Sequence, residues 1–161
     1  MHYRLLTVLL LVTAPAALAA QAAATGTPSQ DNGPRLSPAY GVHYGTPLRF
    51  SVAAGAALDF DRTGSDGVMA LVEQGQHGHE FSLGYFHMIG RLGSGLALRA
   101  SVLRTAGEPW NADPHTPYVG GEIGWMLVFG VGGRAGYFRR ASAQATGLNS
   151  TIATLGISIG A

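Results

Sequence analysis

The sequence predicts an all-β fold, an antiparallel up-and-down barrel of about eight strands behind a signal peptide and a flexible leader. Three observations lead to this prediction. Apolar residues recur at every second position in most of the chain after Tyr40. Glycine is abundant, at 24 of 161 residues, whereas charged residues make up only 12%. The connections between the alternating segments are mostly short, as expected for consecutive antiparallel hairpins.

The first 19 residues have the features of a secretory signal peptide. Arg4 gives a positive start, Leu5–Val12 is an apolar run with one threonine, and Ala17-Leu18-Ala19 is a small-x-small cleavage site. The apolar run is shorter than the roughly 18 residues that a membrane-spanning helix needs. The sequence therefore predicts export of the chain, and it argues against a helical membrane protein.

The rest of the chain divides into a leader and one domain. Residues 20–38 are mostly Ala, Thr, Pro, Ser, Gln and Asn, and we expect a flexible leader there. Residues 39–161 form the predicted barrel. Its strongest strand signal is Leu48–Phe60, where apolar and small or polar residues alternate over the whole segment. Similar alternation predicts strands at 79–86, 96–103, 119–126, 131–138 and 154–159, with weaker signals at 40–45 and at 67–76, where Val68–Val72 is apolar on both faces.

The lengths of the connections indicate which end of the barrel each one occupies. With the carboxyl terminus at the periplasmic end, the two long connections, Thr105–Pro117 and Arg140–Asn149, fall at the outer end together with the short Gln76–Gly78 turn. Asp61–Asp66, Gly90–Ser94 and a tight turn near Met126–Val128 are short and fall at the inner end. Short periplasmic turns, long external loops and an even number of strands are typical of outer-membrane barrels. An even number of strands, and with it this assignment of the loops to the two ends, requires the weak segment Tyr40–Gly45 to be a strand.

With these features, Tyr40–Ala161 resembles the small eight-stranded outer-membrane β-barrel proteins of Gram-negative bacteria. The resemblance implies a position in the outer membrane, with lipid as the main partner and periplasm as the second possible location. Members of that group usually end in an aromatic residue. This sequence ends in Gly160-Ala161, a departure that bears on insertion into the membrane.

Glycines cluster around the few charged residues on the polar faces of the strands. Gly120 and Gly124 flank Glu122, and Gly132 and Gly136 flank Arg134. A barrel of eight strands has an interior just wide enough to be filled by side chains, so large residues there need small neighbours. Because buried charges need partners, we predict an ion-pair network in the lumen formed by Arg49, Glu80, Arg99, Glu122 and Arg134.

A glycine-rich stretch at residues 130–135, GVGGRA, matches the dinucleotide-binding pattern G-x-G-x-x-A. That fingerprint needs a helix after the glycines and an acidic residue about twenty positions on. The alternation instead continues to Tyr137, and no acidic residue follows at the required distance. We therefore predict no nucleotide site, and the sequence indicates no cofactor.

Other candidate sites are weaker. His77, His79 and His87, with Glu73 or Glu80 near, have the ligand types of a zinc site, but their spacing is unspecific and we predict no metal. Glu80 and Glu122 could also be a carboxylate pair of the kind that hydrolyses glycosides, although an ion-pair role fits them better. With no cysteine, disulfides and thiolate sites are excluded.

Residues 137–142 and 147–149 also resemble the end of the lipid A deacylase barrels. In that family a histidine two residues before a serine carries catalysis. Ser142 would match the serine, but Arg140 stands at the histidine position. Without an imidazole the serine lacks its general base, so we expect no esterase activity and no catalytic residue.

The aromatic residues lie near the ends of the predicted strands. This placement fits the aromatic girdles of membrane barrels. The residues concerned are Phe50, Phe60, Tyr118, Trp125, Tyr137 and Phe138.

The leading functional hypothesis is a non-enzymatic outer-membrane barrel with a plugged lumen, which is not a general porin. Its role would be structural or adhesive, through a surface partner bound by the external loops that carry Trp110 and His115. Without Arg4 the chain has nine arginines against nine acidic residues, a balance that argues against nucleic-acid binding. The alternatives are a soluble periplasmic barrel with its apolar face around an apolar ligand, and a degenerate deacylase-like barrel. The oligomeric state is not predicted.

Overall fold

The computed structural model describes residues 33–61, 63–89, 94–127, 130–141 and 150–160. They form eight β-strands, which confirms the predicted all-β class. The strands are β1 (Arg35–Gly45), β2 (Arg49–Asp59), β3 (Asp66–Gly75), β4 (Gly78–Ile89), β5 (Ser94–Thr105), β6 (Pro117–Met126), β7 (Val131–Arg140) and β8 (Thr151–Gly160).

The strands close into a barrel in which each strand is antiparallel to the next. Closure comes from β8, which pairs with Gly41–Gly45 in the second half of β1. The weak sequence signal at Tyr40–Gly45 is therefore a real strand, and it begins earlier than expected. Arg35–Pro38 were assigned to the leader but pair with β2, from Arg35 opposite Asp59 onward. The predicted signal peptide lies outside the described residues.

The connections divide between two ends of the barrel. The loop end carries the connections 46–48, 76–77, 106–116 and 141–150, while the termini end carries 60–65, 90–93 and 127–130 together with the start of β1 and the end of β8. At the termini end, the hydroxyl of Thr63 and the backbone N–H of Ser65 donate to the Asp61 carboxylate. These hydrogen bonds hold the pKa of Asp61 below its usual value.

The outer face of the barrel is apolar along the strands. Leu83, at the middle of β4, is 57% exposed, and Leu98 on β5 is 61% exposed. The charged residues of this face, Asp66, Arg104 and Arg139, lie near strand ends. Other exposed apolar residues include Val42, Leu58, Val72, Phe81, Val102, Ile123, Tyr137, Leu155 and Ile157.

The inner face has the opposite character, and the lumen is layered. Near the loop end, an apolar cluster fills it. Polar and charged side chains occupy its middle, and a second apolar cluster lies toward the termini end. The loop-end cluster consists of Leu48, Leu103, Tyr118, Phe138 and Ile152, all buried, with Ala112 packed against it.

The prediction of an outer aromatic girdle is therefore wrong for two of its six residues. Tyr118 and Phe138 are fully buried inside the barrel, on the same strand faces as Glu122 and Arg134. Alternation already placed them on the polar faces, and their position near strand ends was misleading. Phe50, Phe60, Trp125 and Tyr137 are exposed on the outside, as girdle residues would be.

Glycines make room for the large interior side chains, as the sequence predicted. A Cβ atom at Gly84 would lie 2.6 Å from Cγ of Arg99, which is directly opposite on β5. A Cβ atom at Gly136 would lie 2.7 Å from Cγ of Glu122, its neighbour on β6. Real Cβ atoms essentially never make contacts this short, so the Arg99 and Glu122 side chains keep their positions only because the facing residues carry no side chain.

No helix in the described part of the chain is long and apolar enough to cross a membrane.

Candidate functional site in the barrel lumen

The centre of the lumen is a carboxylate–guanidinium pair that spans the barrel. Nη1 of Arg134 lies 2.6 Å from Oε2 of Glu73, and Nη2 lies 2.7 Å from Oε1. Both side chains are buried. The two residues are on β7 and β3, four strands apart in a ring of eight. This bidentate geometry is the strongest form of the pair, and here it ties opposite walls of the barrel together.

Glu73 accepts two further contacts from the first two strands. The hydroxyl of Ser51 on β2 donates to Oε1 at 2.5 Å, and Nδ1 of His43 on β1 lies 2.8 Å from Oε2. Both partners are buried. Four strands thus meet at one carboxylate, which has no need of water to satisfy its oxygens.

Arg134 also lies near the other two buried carboxylates. Its Nη1 is 3.8 Å from Oε2 of Glu122 and 3.9 Å from Oε2 of Glu80. Glu122 has a closer partner in Arg99, directly opposite on β5, whose Nη2 donates to Oε2 at 3.1 Å. The hydroxyl of Thr154 on β8 donates to its other oxygen at 3.2 Å.

The structure brings together four of the five residues predicted for this network: Glu80, Arg99, Glu122 and Arg134. The fifth, Arg49, lies elsewhere. It is the first residue of β2, and its φ of 60° is in the left-handed region. Its guanidinium lies 4.9 Å from the ring centroid of Trp110 and donates to the Glu108 carbonyl at the loop end.

Three members of the network were missed: His43, Ser51 and Glu73. A signal for Glu73 was present in the hairpin. Gly75 pairs with Gly78, so Glu73 stands directly opposite Glu80. Like charges opposite each other are destabilising in a sheet, and such a pair in an interior requires a cation such as Arg134.

The long connection 106–116 folds across the barrel mouth at the loop end. The backbone N–H of Trp110 donates to the Pro47 carbonyl at 3.3 Å, and its ring meets Tyr44 edge-on at 6.0 Å between centroids. The Asn111 side chain donates to the Ala153 carbonyl on β8. The loop that starts from β5 therefore reaches β1 and β8, and together with the apolar cluster beneath it closes this end of the lumen. His115 is exposed on this loop.

The opposite end of the lumen holds a cavity of about 420 Å³. Its walls are largely apolar, and Met69, Phe86, Met88 and Met126 contribute to them. Its polar lining includes His43, Arg99 and Arg134 from the central network. The lumen is thus closed at the loop end and recessed at the termini end.

Of the three histidines considered for a metal site, His87 lies far from the other two. His77 is in the turn before β4, His79 is near the start of that strand, and His87 is near its other end. The eight residues from His79 to His87 span roughly 27 Å of strand. No group of three possible ligands comes together in the described residues. The proposed hydrolytic pair, Glu80 and Glu122, is directed at Arg134.

The resemblance to the deacylase barrels rests in part on residues outside the described part of the chain. Ser142 and residues 147–149 are among them. Arg140, at the position of the missing histidine, forms an ion pair with Asp113 of the connection 106–116. That contact joins the end of β7 to the loop over the mouth.

Comparison with known proteins gave no match to a family model, to a curated protein or to a solved structure.

Proposed function

We propose that this chain is an outer-membrane protein of a Gram-negative bacterium, and that it crosses the bilayer with its eight strands. The observation that carries the proposal is the difference between the outer and inner faces of the barrel. Apolar side chains cover the outside, while the buried acidic and basic groups face the lumen. A soluble barrel needs the reverse, because charged groups are stable in water and apolar groups avoid it.

The dimensions support the same proposal. Strands of 10 to 12 residues match the 9–11 residues that a tilted strand needs to cross a bilayer. The strand number is even, and the longer connections 106–116 and 141–150 lie at one end, as in outer-membrane barrels. Under the proposal, the loop end faces the cell exterior and the termini end faces the periplasm. The predicted signal peptide would supply export.

The alternative of a soluble barrel with an apolar interior assumed the opposite orientation of the strands. It placed the face with arginine and glutamate in solvent, whereas Glu122 is 4% exposed and Arg134 is 3% exposed. The orientation of the strands therefore favours the membrane-spanning function.

We further propose a structural or surface-interaction role rather than transport of solutes or catalysis. The loop-end cluster and the loop above it fill the mouth, which disfavours a general porin. The buried carboxylates are engaged by arginines. External contacts would be made by the exposed parts of the loop end, including Trp110 and His115.

Expression of the full chain in a Gram-negative host tests this proposal. We expect the protein in the outer-membrane fraction after the membranes are separated. On a gel, the unboiled protein should migrate differently from the boiled protein, since a closed barrel resists detergent until it is heated. A periplasmic marker protein serves as the fractionation control. Recovery of the chain in the soluble periplasmic fraction, with no change on boiling, would contradict the proposal.

A further inference from the structure

The cavity at the termini end has apolar walls and a polar floor. Three methionines and Phe86 contribute to the walls, and the floor is formed by the central network. Its volume of about 420 Å³ falls within the range of roughly 300–1,000 Å³ that is usual for small-molecule sites. Such a cavity fits one apolar chain with a polar group at its inner end.

The network presents its basic side to this cavity. His43, Arg99 and Arg134 line it, whereas the three carboxylates of Glu73, Glu80 and Glu122 do not. The carboxylates of the network are therefore turned away from the cavity. The acidic residue among the described lining residues is Asp59, the last residue of β2 at the termini end, so the inner end of the cavity presents guanidinium and imidazole groups.

Two guanidinium groups belong to this floor. Arg99 and Arg134 both line the cavity, with side chains that are 7% and 4% exposed. A carboxylate has two oxygens that accept hydrogen bonds, and hydrogen bonds between a guanidinium and a carboxylate are stronger than those between neutral groups. The floor thus offers cationic donors to a carboxylate at the inner end of an apolar cavity.

We propose that this cavity binds a long-chain carboxylate, with the hydrocarbon chain along the methionine wall and the carboxylate against Arg99 and Arg134. The site requires only the barrel and its interior, so it does not depend on the location of the protein in the cell. Its failure is consequently distinguishable from failure of the proposed membrane function.

The methionines provide a direct test. Met69, Met88 and Met126 all line the cavity, and the fourth methionine is Met1. We would label the methionine methyl groups of the full chain with ¹³C, place the protein in lipid nanodiscs if it fractionates with the membrane or in buffer if it does not, and titrate it with decanoate. The three cavity signals should shift together and saturate. Decanol, which has the same chain but no carboxylate, should bind at least about tenfold more weakly, because it loses charge-assisted hydrogen bonds.

A matched pair of variants on β5 separates binding in the cavity from partitioning into lipid. Ala97→Leu fills the cavity and should abolish the shifts, while Ala100→Leu, on the outward face of the same strand, should leave them unchanged. Absence of saturation, equal affinities for decanoate and decanol, or unchanged binding in Ala97→Leu would each overturn the proposal. The comparison of decanoate with decanol uses the unmodified chain, so it stands even if a variant fails to fold.

Discussion

Replacement of Arg134 by methionine should destabilise the barrel by about 3–5 kcal/mol, the usual effect of removing one partner from a buried ion pair. Methionine has a similar reach but no charge. Glu73 would lose both bonds of the bidentate pair, at 2.6 and 2.7 Å, and would be held by His43 and Ser51 alone. Glu80 and Glu122 would lose the cation that lies within 4 Å of both. Urea unfolding of the barrel in lipid vesicles, followed by tryptophan fluorescence, measures the change.

A second arginine on β7 supplies the control for this prediction. Arg139 is exposed on the same strand, and Arg139→Met should change the free energy of unfolding by no more than about 0.5 kcal/mol. The double variant Glu73→Gln with Arg134→Met should recover part of the loss, because it removes the unpaired buried charge. Equal stabilities of Arg134→Met and Arg139→Met would show that the network does not support the fold.

An arginine at the middle of the outer face should be the second most disruptive change. Leu83 lies at the centre of β4 and is 57% exposed. In a bilayer, Leu83→Arg places a charge at mid-depth, which costs about 2–4 kcal/mol in membrane barrels. In water the same substitution on an exposed position would have little effect. Leu83→Arg is therefore expected to destabilise the barrel if position 83 faces lipid, and to have little effect if it faces water.

His79→Arg is the matched control for Leu83→Arg. His79 lies on the same face of the same strand, near the loop end. There an arginine reaches the polar interface, and we expect a change of about 0–1 kcal/mol. Both variants would be compared with the unmodified chain by urea titration in vesicles. Equal effects at the two positions would argue that the outer face of β4 does not cross a bilayer.

Period-two alternation predicted the strands well because one face of each strand meets the interior and the other does not. β2 was clear from its strict alternation, whereas β1 was weak, since Pro38 and Gly41 interrupt it. Pairing of β1 with both β2 and β8 compensates for this weak local signal. Closure of the barrel is a long-range property that no single segment encodes.

The central network was predicted only in part, for two physical reasons. In β3, Met69 and Leu71 face the interior and are apolar, so the polar face that contains Glu73 could not be recognised. In β1, His43 belonged to the weakest strand. Alternation placed Arg49 in the network but could not show that it lies at the loop end. There its backbone has a left-handed conformation and its guanidinium lies over Trp110.

The layers of the lumen were not visible in the sequence. Tyr118 and Phe138 share strand faces with charged residues. Whether such a residue joins the apolar cluster or the charged network depends on its position along the barrel axis. At the loop end they meet Leu48, Leu103 and Ile152 from other strands to form the plug. The position of a residue along the barrel axis follows from the strand register, which the structure provides.

The most direct test of the account is to ask what surrounds the outer face. The chain has no cysteine, so spin labels can be attached at single cysteines introduced along β5, at Leu98, Ala100 and Arg104. In lipid vesicles, molecular oxygen concentrates in hydrocarbon, while a polar nickel chelate stays in water. We predict that oxygen relaxes the labels at 98 and 100 far more than the chelate does, and that the order reverses at 104. If the chelate reached positions 98 and 100 as readily as 104, the outer face would lie in water, and the membrane-spanning account would be wrong.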